Sequence, residues 1–212
     1  MPGLKRTTDA TSEPVTQAEA QLWLKQSDDT DDNIVDLLIE GARTMTEDYC
    51  ERAWINQTWE YMLDAVPEGA DADDWKITHG WPMTLTAPVG DGDVIEIPRP
   101  PLSSVTSVQY YNDANTAATF SADSYTVDSW GIGQRGRIYL DSGASWPSEI
   151  RKRNAILVTF VAGYGATAAS VPAAVKTAIR TIIEANYDWR AGEMEFPAMA
   201  QELLKPYVVQ SV

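Results

Sequence analysis

The side chains that most often carry chemistry are scarce in this sequence. There is one histidine, His79, and one cysteine, Cys50. One histidine excludes a His-built metal centre and argues against a Ser-His hydrolase. One cysteine excludes an internal disulfide framework and any Cys-built zinc site. Carboxylates are plentiful, with runs at Asp28-Asp29-Thr30-Asp31-Asp32 and Asp71-Ala72-Asp73-Asp74. Calcium favours oxygen ligands at alternating positions, but an EF-hand loop also needs Gly at position six and Glu at position twelve. Counted from Asp28 those positions are Asn33 and Ile39; counted from Asp71 they are Lys76 and Pro82. Both runs fail the test. Gly131-Ile132-Gly133 and Gly163-Tyr164-Gly165 lack the third glycine and the helix that a dinucleotide cradle requires, so they are read as turns. No Gly-rich loop ends in Lys-Ser/Thr, so the usual nucleoside triphosphate signature is missing. A carboxylate pair for glycoside hydrolysis is a matter of spatial separation, on which sequence spacing is silent.

The charge balance points the same way. Sixteen Lys+Arg face 31 Asp+Glu, a formal charge of -15. That sign is opposite to what phosphate binding requires. Residues 1–100 hold seven basic and twenty-one acidic residues, so the acidity sits in the front half. The compact basic run Arg151-Lys152-Arg153 sits in the back half. Eight tryptophans stand out. Trp59 and Trp189 lie on apolar stripes and read as core. Trp75, Trp81 and Trp130 lie among Gly, Pro and Asp and read as contact residues, because exposed tryptophan favours interfaces and sugar stacking.

The elements that would position these residues follow from periodicity. The chain has 212 residues and is 44% hydrophobic, enough for a real core. It opens without the apolar run of a signal peptide, and no stretch is long enough to span a membrane, so a soluble protein made in a reducing cytoplasm is expected. Thr16 and Glu19 form a capping-box pair that starts a helix to about Lys25. A long second helix runs from Asp31 to about Trp54. Ile34, Leu37, Leu38, Ala42, Met45, Tyr49 and Ala53 form its expected core face, with Asp36, Glu40, Arg43, Glu47 and Glu51 elsewhere.

The period then changes to two. Strands are expected around Trp59, at Asp93–Ile97, Ser104–Tyr111, Ser124–Asp128, Gly136–Asp141 and Asn154–Ala162, the last in a central position. Pro172 then opens a helix whose face is Val175, Ala178, Ile179, Ile182, Ile183, Asn186 and Trp189, and a short helix follows over Pro197–Leu204. This order makes the fold α+β, with a small α-helical bundle formed by the N- and C-terminal helices and a large inserted antiparallel β region. The expected organisation is a flexible N-terminus (1–15), a helical core (16–54 with 166–205), an inserted β domain (55–165) and a C-terminal tail (206–212).

Several stretches in order carry a resemblance. They are Ile97-Pro98-Arg99-Pro100-Pro101-Leu102-Ser103-Ser104-Val105, Val108-Gln109-Tyr110-Tyr111, Tyr125-Thr126-Val127-Asp128 and Arg137-Ile138-Tyr139-Leu140. Trp146-Pro147, Ala155 to Phe160, Ala162-Gly163-Tyr164-Gly165, Val171 to Ile179 and Tyr187-Asp188-Trp189-Arg190 continue the series. Together they resemble the phage head–tail connector proteins (head-completion adaptors), including prophage and gene-transfer-agent members, over about residues 16–207. The resemblance implies a structural, non-enzymatic virion component without cofactors. It implies a ring, usually of twelve copies, beneath the portal protein, extending the DNA channel and docking a stopper or tail-completion protein. Genomic DNA passes through such a ring without specific binding. It implies a place at the head–tail interface, and the host cytoplasm during assembly.

The resemblance also suggests a portal contact through the C-terminal segment, here Phe196, Leu203, Leu204, Tyr207, Val208 and Val209. The acidic residues Asp28, Asp29, Asp31, Asp32 and Asp36, or else those of Asp71–Asp74, then suit a channel face or its rim that repels the duplex within about a Debye length, roughly 8 Å at physiological salt. Arg151, Lys152 and Arg153 suit contacts to acids of a neighbouring subunit. The alternative is a carbohydrate- or surface-binding β module of a phage tail that uses the loop tryptophans. An unmarked carboxylate-pair hydrolase is a third reading.

Overall fold

The computed structural model describes residues 3–26, 31–65, 94–130, 135–187 and 195–209. Two compact units appear. One contains the described residues up to Thr8 together with Thr58–Ala162, and the other contains Asp9–Gln57 and Gly163–Val209.

The second unit is helical. Helix α1 (Gln17–Leu24) starts at the expected capping box. Thr16 Oγ1 accepts the Glu19 N–H at 3.2 Å, and Glu19 Oε2 accepts the Thr16 N–H at 2.9 Å. Glu19 also reaches Arg180 at 3.0 Å, so the capping residue ties two helices together. Helix α2 (Asp32–Cys50) ends earlier than expected, because Glu51 turns left-handed at φ 52° and its N–H closes on the last carbonyls. Helix α3 (Ala173–Tyr187) buries Val175, Ala178, Ile179, Ile182, Ile183 and Asn186, the face its periodicity predicts. Trp189 lies outside the described residues. Asn186 then clamps the chain after α3: its Nδ2 donates to the Glu195 carbonyl at 2.8 Å and its Oδ1 accepts the Glu195 N–H at 2.6 Å. Helix α4 (Ala198–Leu204) follows. All four helices contribute to one apolar core, with Ile39, Trp54, Ile179, Ile183 and Leu204 fully or almost fully buried.

The face of α2 differs from the periodicity reading. Val35, Ile39, Ala42, Arg43, Thr46, Glu47 and Cys50 are buried, whereas Ile34 is 41% and Leu37 69% exposed. Leu38, Met45 and Tyr49 are only partly buried. Three polar residues occupy the buried stripe, and a count of apolar residues overlooks them. Arg43 is held by Glu13 at 2.8 Å, Glu47 at 3.2 Å and Asp9 at 3.3 Å. Glu47 in turn accepts the Trp54 N–H at 3.0 Å and Gln57 Nε2 at 2.7 Å. Trp54 Nε1 donates to Thr46 Oγ1 at 2.9 Å. Burial pushes the Glu13 carboxyl above the ordinary range against the pull of Arg43.

The first unit is β-rich. Strands β1 (Gly3–Thr8), β2 (Gln57–Leu63), β4 (Leu102–Tyr111), β5 (Ala117–Thr119) and β8 (Ile156–Ala162) form a sheet in the order β1-β2-β8-β4-β5. Strands β3 (Val94–Ile97), β6 (Tyr125–Asp128) and β7 (Gly136–Leu140) form a second sheet in the order β3-β7-β6. The β1–β2, β3–β7, β4–β5, β4–β8 and β6–β7 pairs are antiparallel. As expected, β8 is central, with Ile156, Val158, Phe160 and Ala162 buried in alternation. Residues 3–8 form edge strand β1, whose Lys5 and Arg6 are the kind of charge that discourages further strand pairing. The Arg6 and Arg99 guanidinium groups lie 5.9 and 5.3 Å from the ring centre of the buried Trp59. The α+β class, with helices at both ends of an antiparallel β region, is the observed architecture.

Within the helical unit, the segments before and after the β region meet. Asn56 N–H donates to the Gly165 carbonyl at 2.9 Å, and Tyr164 N–H to the Trp54 carbonyl at 3.2 Å. Gly163, at φ +143°, makes this approach possible, because a Cβ there would lie 2.5 Å from Asn56 N. Gly163→Ala should therefore cost at least about 2 kcal/mol in urea unfolding. Gly143→Ala, where a Cβ meets nothing within 4 Å, should cost only about 1 kcal/mol for its positive φ.

Arg43→Met leaves Glu47 and Glu13 without their cation and should destabilise by about 3–5 kcal/mol in the same assay. Glu19 gives a pH signature. The Thr16 N–H, then Arg180, hold its carboxyl below 4.5, so its contribution is present above that pH and is lost as acid protonates the folded form. Glu19→Gln should lower the melting temperature at pH 7, and the difference should shrink as the pH falls through the carboxyl's lowered range.

Candidate functional site

Among the described residues, no group of three or more His, Cys, Asp or Glu is placed to hold a metal ion. His79 lies outside the described residues. Cys50 is buried on α2 beside the Leu204 carbonyl, and burial pushes its thiol up to about 12, so it does not supply a thiolate at neutral pH. No helix among the described residues is long and apolar enough to cross a membrane.

The C-terminal segment is packed onto its own unit. Leu204 and Val209 are buried, and Phe196, Leu203, Tyr207 and Val208 are partly buried against the helical core. Val209 N–H donates to the Cys50 carbonyl at 3.1 Å, and Arg52 Nε donates to the Tyr207 carbonyl. Phe196 meets Tyr49 edge-on at 4.8 Å, and Tyr207 meets Trp54 edge-on at 6.0 Å. The segment thus closes over the C-terminal end of α2. The sides of Leu203, Tyr207 and Val208 turned away from the core, with Met199 at 61% exposure, form its outer surface.

The basic run splits in two. Arg151 serves its own unit: its guanidinium lies 4.1 Å from the Tyr111 ring centre, and it donates to the Asn154 carbonyl at 2.9 Å and to Asn115 Oδ1 at 3.1 Å. Lys152 and Arg153 are exposed. Arg153 and the Asn154 N–H both act on Asp64, whose carboxyl is held below its ordinary range chiefly by that backbone hydrogen bond.

The acidic run also divides. Asp28 and Asp29 lie outside the described residues. Asp31 accepts the Tyr187 hydroxyl, which joins the start of α2 to the end of α3, and Asp32 accepts Gln21 Nε2 from α1. Asp36 is exposed on α2. Together with Glu40, Glu13, Thr16 and Gln17 it lines a shallow open groove in the helical unit. Two of the five acids are thus structural ties between helices, a role that a run of Asp in sequence does not announce.

Of the three loop tryptophans, Trp75 and Trp81 lie outside the described residues. Trp130 is 91% exposed just after β6. Its N–H donates to Asp128 Oδ1 at 2.7 Å, and Asp128 also pairs with Arg137 of β7 at 2.7 Å. The Trp130 N–H first, then Arg137, hold the Asp128 carboxyl below the usual carboxylate range. Sequence reading missed the exposed apolar side chains Leu22 (80%) and Leu37 (69%). For Leu37 the signal was a second apolar stripe on α2, which the periodicity assigned to the core.

No family model and no curated protein matches the chain. Solved structures do. A chain in the virion of a native gene transfer agent (GTA) particle superposes with a TM-score of 0.71 at 19% identity, covering 99% of this chain and 96% of that chain. A chain in the neck of an empty GTA particle, computed with C6 symmetry, gives 0.70 at 20% identity, with 99% and 97% covered. A chain in the neck of a native GTA particle, computed with C12 symmetry, gives 0.70 at 18% identity, with the same coverage. The architecture of this chain, both helical and β-rich parts included, is therefore a fold found in the neck of GTA particles.

Proposed function

We propose that this chain is a non-enzymatic head–tail connector of a tailed phage or phage-like particle. Copies form a ring at the head–tail interface, between the portal protein and a stopper or tail-completion protein. One observation carries the reading: nearly the whole chain, and nearly the whole of each matched chain, share one fold with chains of GTA particles, two of them in necks computed with C6 or C12 symmetry. The chemistry of the surface supports it. The one cysteine is buried, and the accessible features are apolar and charged patches suited to assembly.

In this reading the outer sides of Phe196, Leu203, Tyr207 and Val208 meet the portal, while Leu204 and Val209 anchor the segment from beneath. Lys152 and Arg153 face acids of the adjacent copy. The acidic residues of the helical unit, Asp36 among them, keep the duplex from adhering as it passes. A basic lining would bind phosphates with release of counterions and slow the DNA.

The decisive experiment is electron microscopy of particles from a strain carrying the gene and from its deletion. The expected result is a ring of this chain under the portal, with tailless heads that fail to retain DNA in the deletion. Particles that package and deliver DNA normally without the gene would overturn the proposal. The charge of -15 per copy sets a second expectation, since like copies repel over the longer screening length of dilute salt. Sedimentation of the chain with its portal should show less ring at about 0.01 M salt than at about 0.15 M. An oligomer mass that does not change with salt counts against this electrostatic account.

A further inference from the structure

Helix α2 carries two apolar stripes, and its own core buries one fully and the other only in part. The buried stripe runs through Val35, Ile39, Ala42, Thr46 and Cys50. The other runs through Ile34, Leu37, Leu38, Gly41 and Met45 and lies roughly 120° round the helix, at 100° per residue. Ile34 is 41% and Leu37 69% exposed, while Leu38 and Met45 touch the core with one side only. Leaving a leucine and an isoleucine of one stripe in water forgoes favourable burial, and the glycine one turn after Leu37 permits close approach of another backbone. Such a pattern is that of a helix with a partner on each side.

Resting on the connector reading, we infer that this second stripe is the contact with the next copy of the same chain around the ring. Three observations select a second copy as the occupant. In a cyclic assembly each copy is flanked on both sides by identical copies, through two different patches that must complement each other. The exposed acid Glu40 flanks the stripe one turn after Leu37, and the same chain offers the exposed bases Lys152 and Arg153 on its other unit, so one copy supplies both halves of a charge-complementary contact. The stripe also begins on the first turn of α2, whereas the C-terminal segment closes on Cys50 and Arg52, about 20 Å along the helix at 1.5 Å per residue. Two partners can therefore bind α2 at once, one at each end.

The test places p-benzoylphenylalanine at position 37 and irradiates assembled particles. The expected product is an adduct of two copies of this chain. An adduct with a different particle protein overturns the choice of occupant. Particles that contain the chain but yield no adduct overturn the contact itself. Particles that lack the chain altogether overturn the connector reading instead, so the two failures are distinct. In parallel, Leu37→Glu should leave the melting temperature of the isolated chain within about 2 °C of the parent, because the position is exposed. Its incorporation into particles should fall at least tenfold, while Val127→Glu, also at an exposed apolar site, is incorporated normally. Incorporation of Leu37→Glu within twofold of the parent, or an equal loss in both variants, overturns the inference.

Discussion

The helical unit is organised around a guanidinium taken out of water. Arg43 is 2% exposed, and three carboxylates from different parts of the unit converge on it. Asp9 and Glu13 bring in the segment before α1. Glu47, one turn along α2, passes the connection on to the Trp54 amide and the Gln57 side chain. A buried cation is costly unless each of its donors finds an acceptor, and here that demand fixes where the chain may run before α1 and after α2. Trp54, whose indole N–H goes to Thr46, is then seated between the Tyr164 and Tyr207 rings, and the C-terminal segment closes over it. The position of that segment, and so of the surface suggested for the portal, is tied through Trp54 to the charge network around Arg43.

That network also explains what the sequence revealed and what it hid. Helix α3 was legible because its buried positions are almost all aliphatic and nothing polar interrupts the stripe until Asn186. The capping box of α1 was legible because its two side chains act locally. Strand β8 was legible because β-branched and aromatic residues alternate through it. The face of α2 was misread because two apolar stripes compete on one helix, and the one that wins the core contains Arg43, Thr46 and Glu47. Partners brought in from Asp9, Glu13, Trp54 and Gln57 make those three fit for burial, and all four lie outside the helix. Strand β1 was read as a flexible start because an edge strand has no need of apolar alternation, and Leu-Lys-Arg-Thr-Thr offers none.

The surfaces were less legible than the fold. Asp31 and Asp32 belong to an acidic run that reads as a solvated face, yet both accept hydrogen bonds from neighbouring helices. Arg151 belongs to a basic run, yet it stacks on Tyr111 and caps the Asn154 carbonyl. In each run one part holds the fold and another part is turned to solvent. A run of like charge in a sequence therefore names a region, while the division of labour within it depends on tertiary partners.

The meeting of residues 54–56 with 163–165 has a broader meaning. The chain leaves the helical unit and re-enters it at adjacent points, and backbone hydrogen bonds rather than side chains fasten the two ends. The roughly hundred residues between form one long closed loop, and because loop-closure entropy grows only slowly with length, the helical unit is nearly indifferent to how long that loop is. A chain with the same helical frame can thus carry a longer, shorter or different β-rich part with the helical packing unaltered.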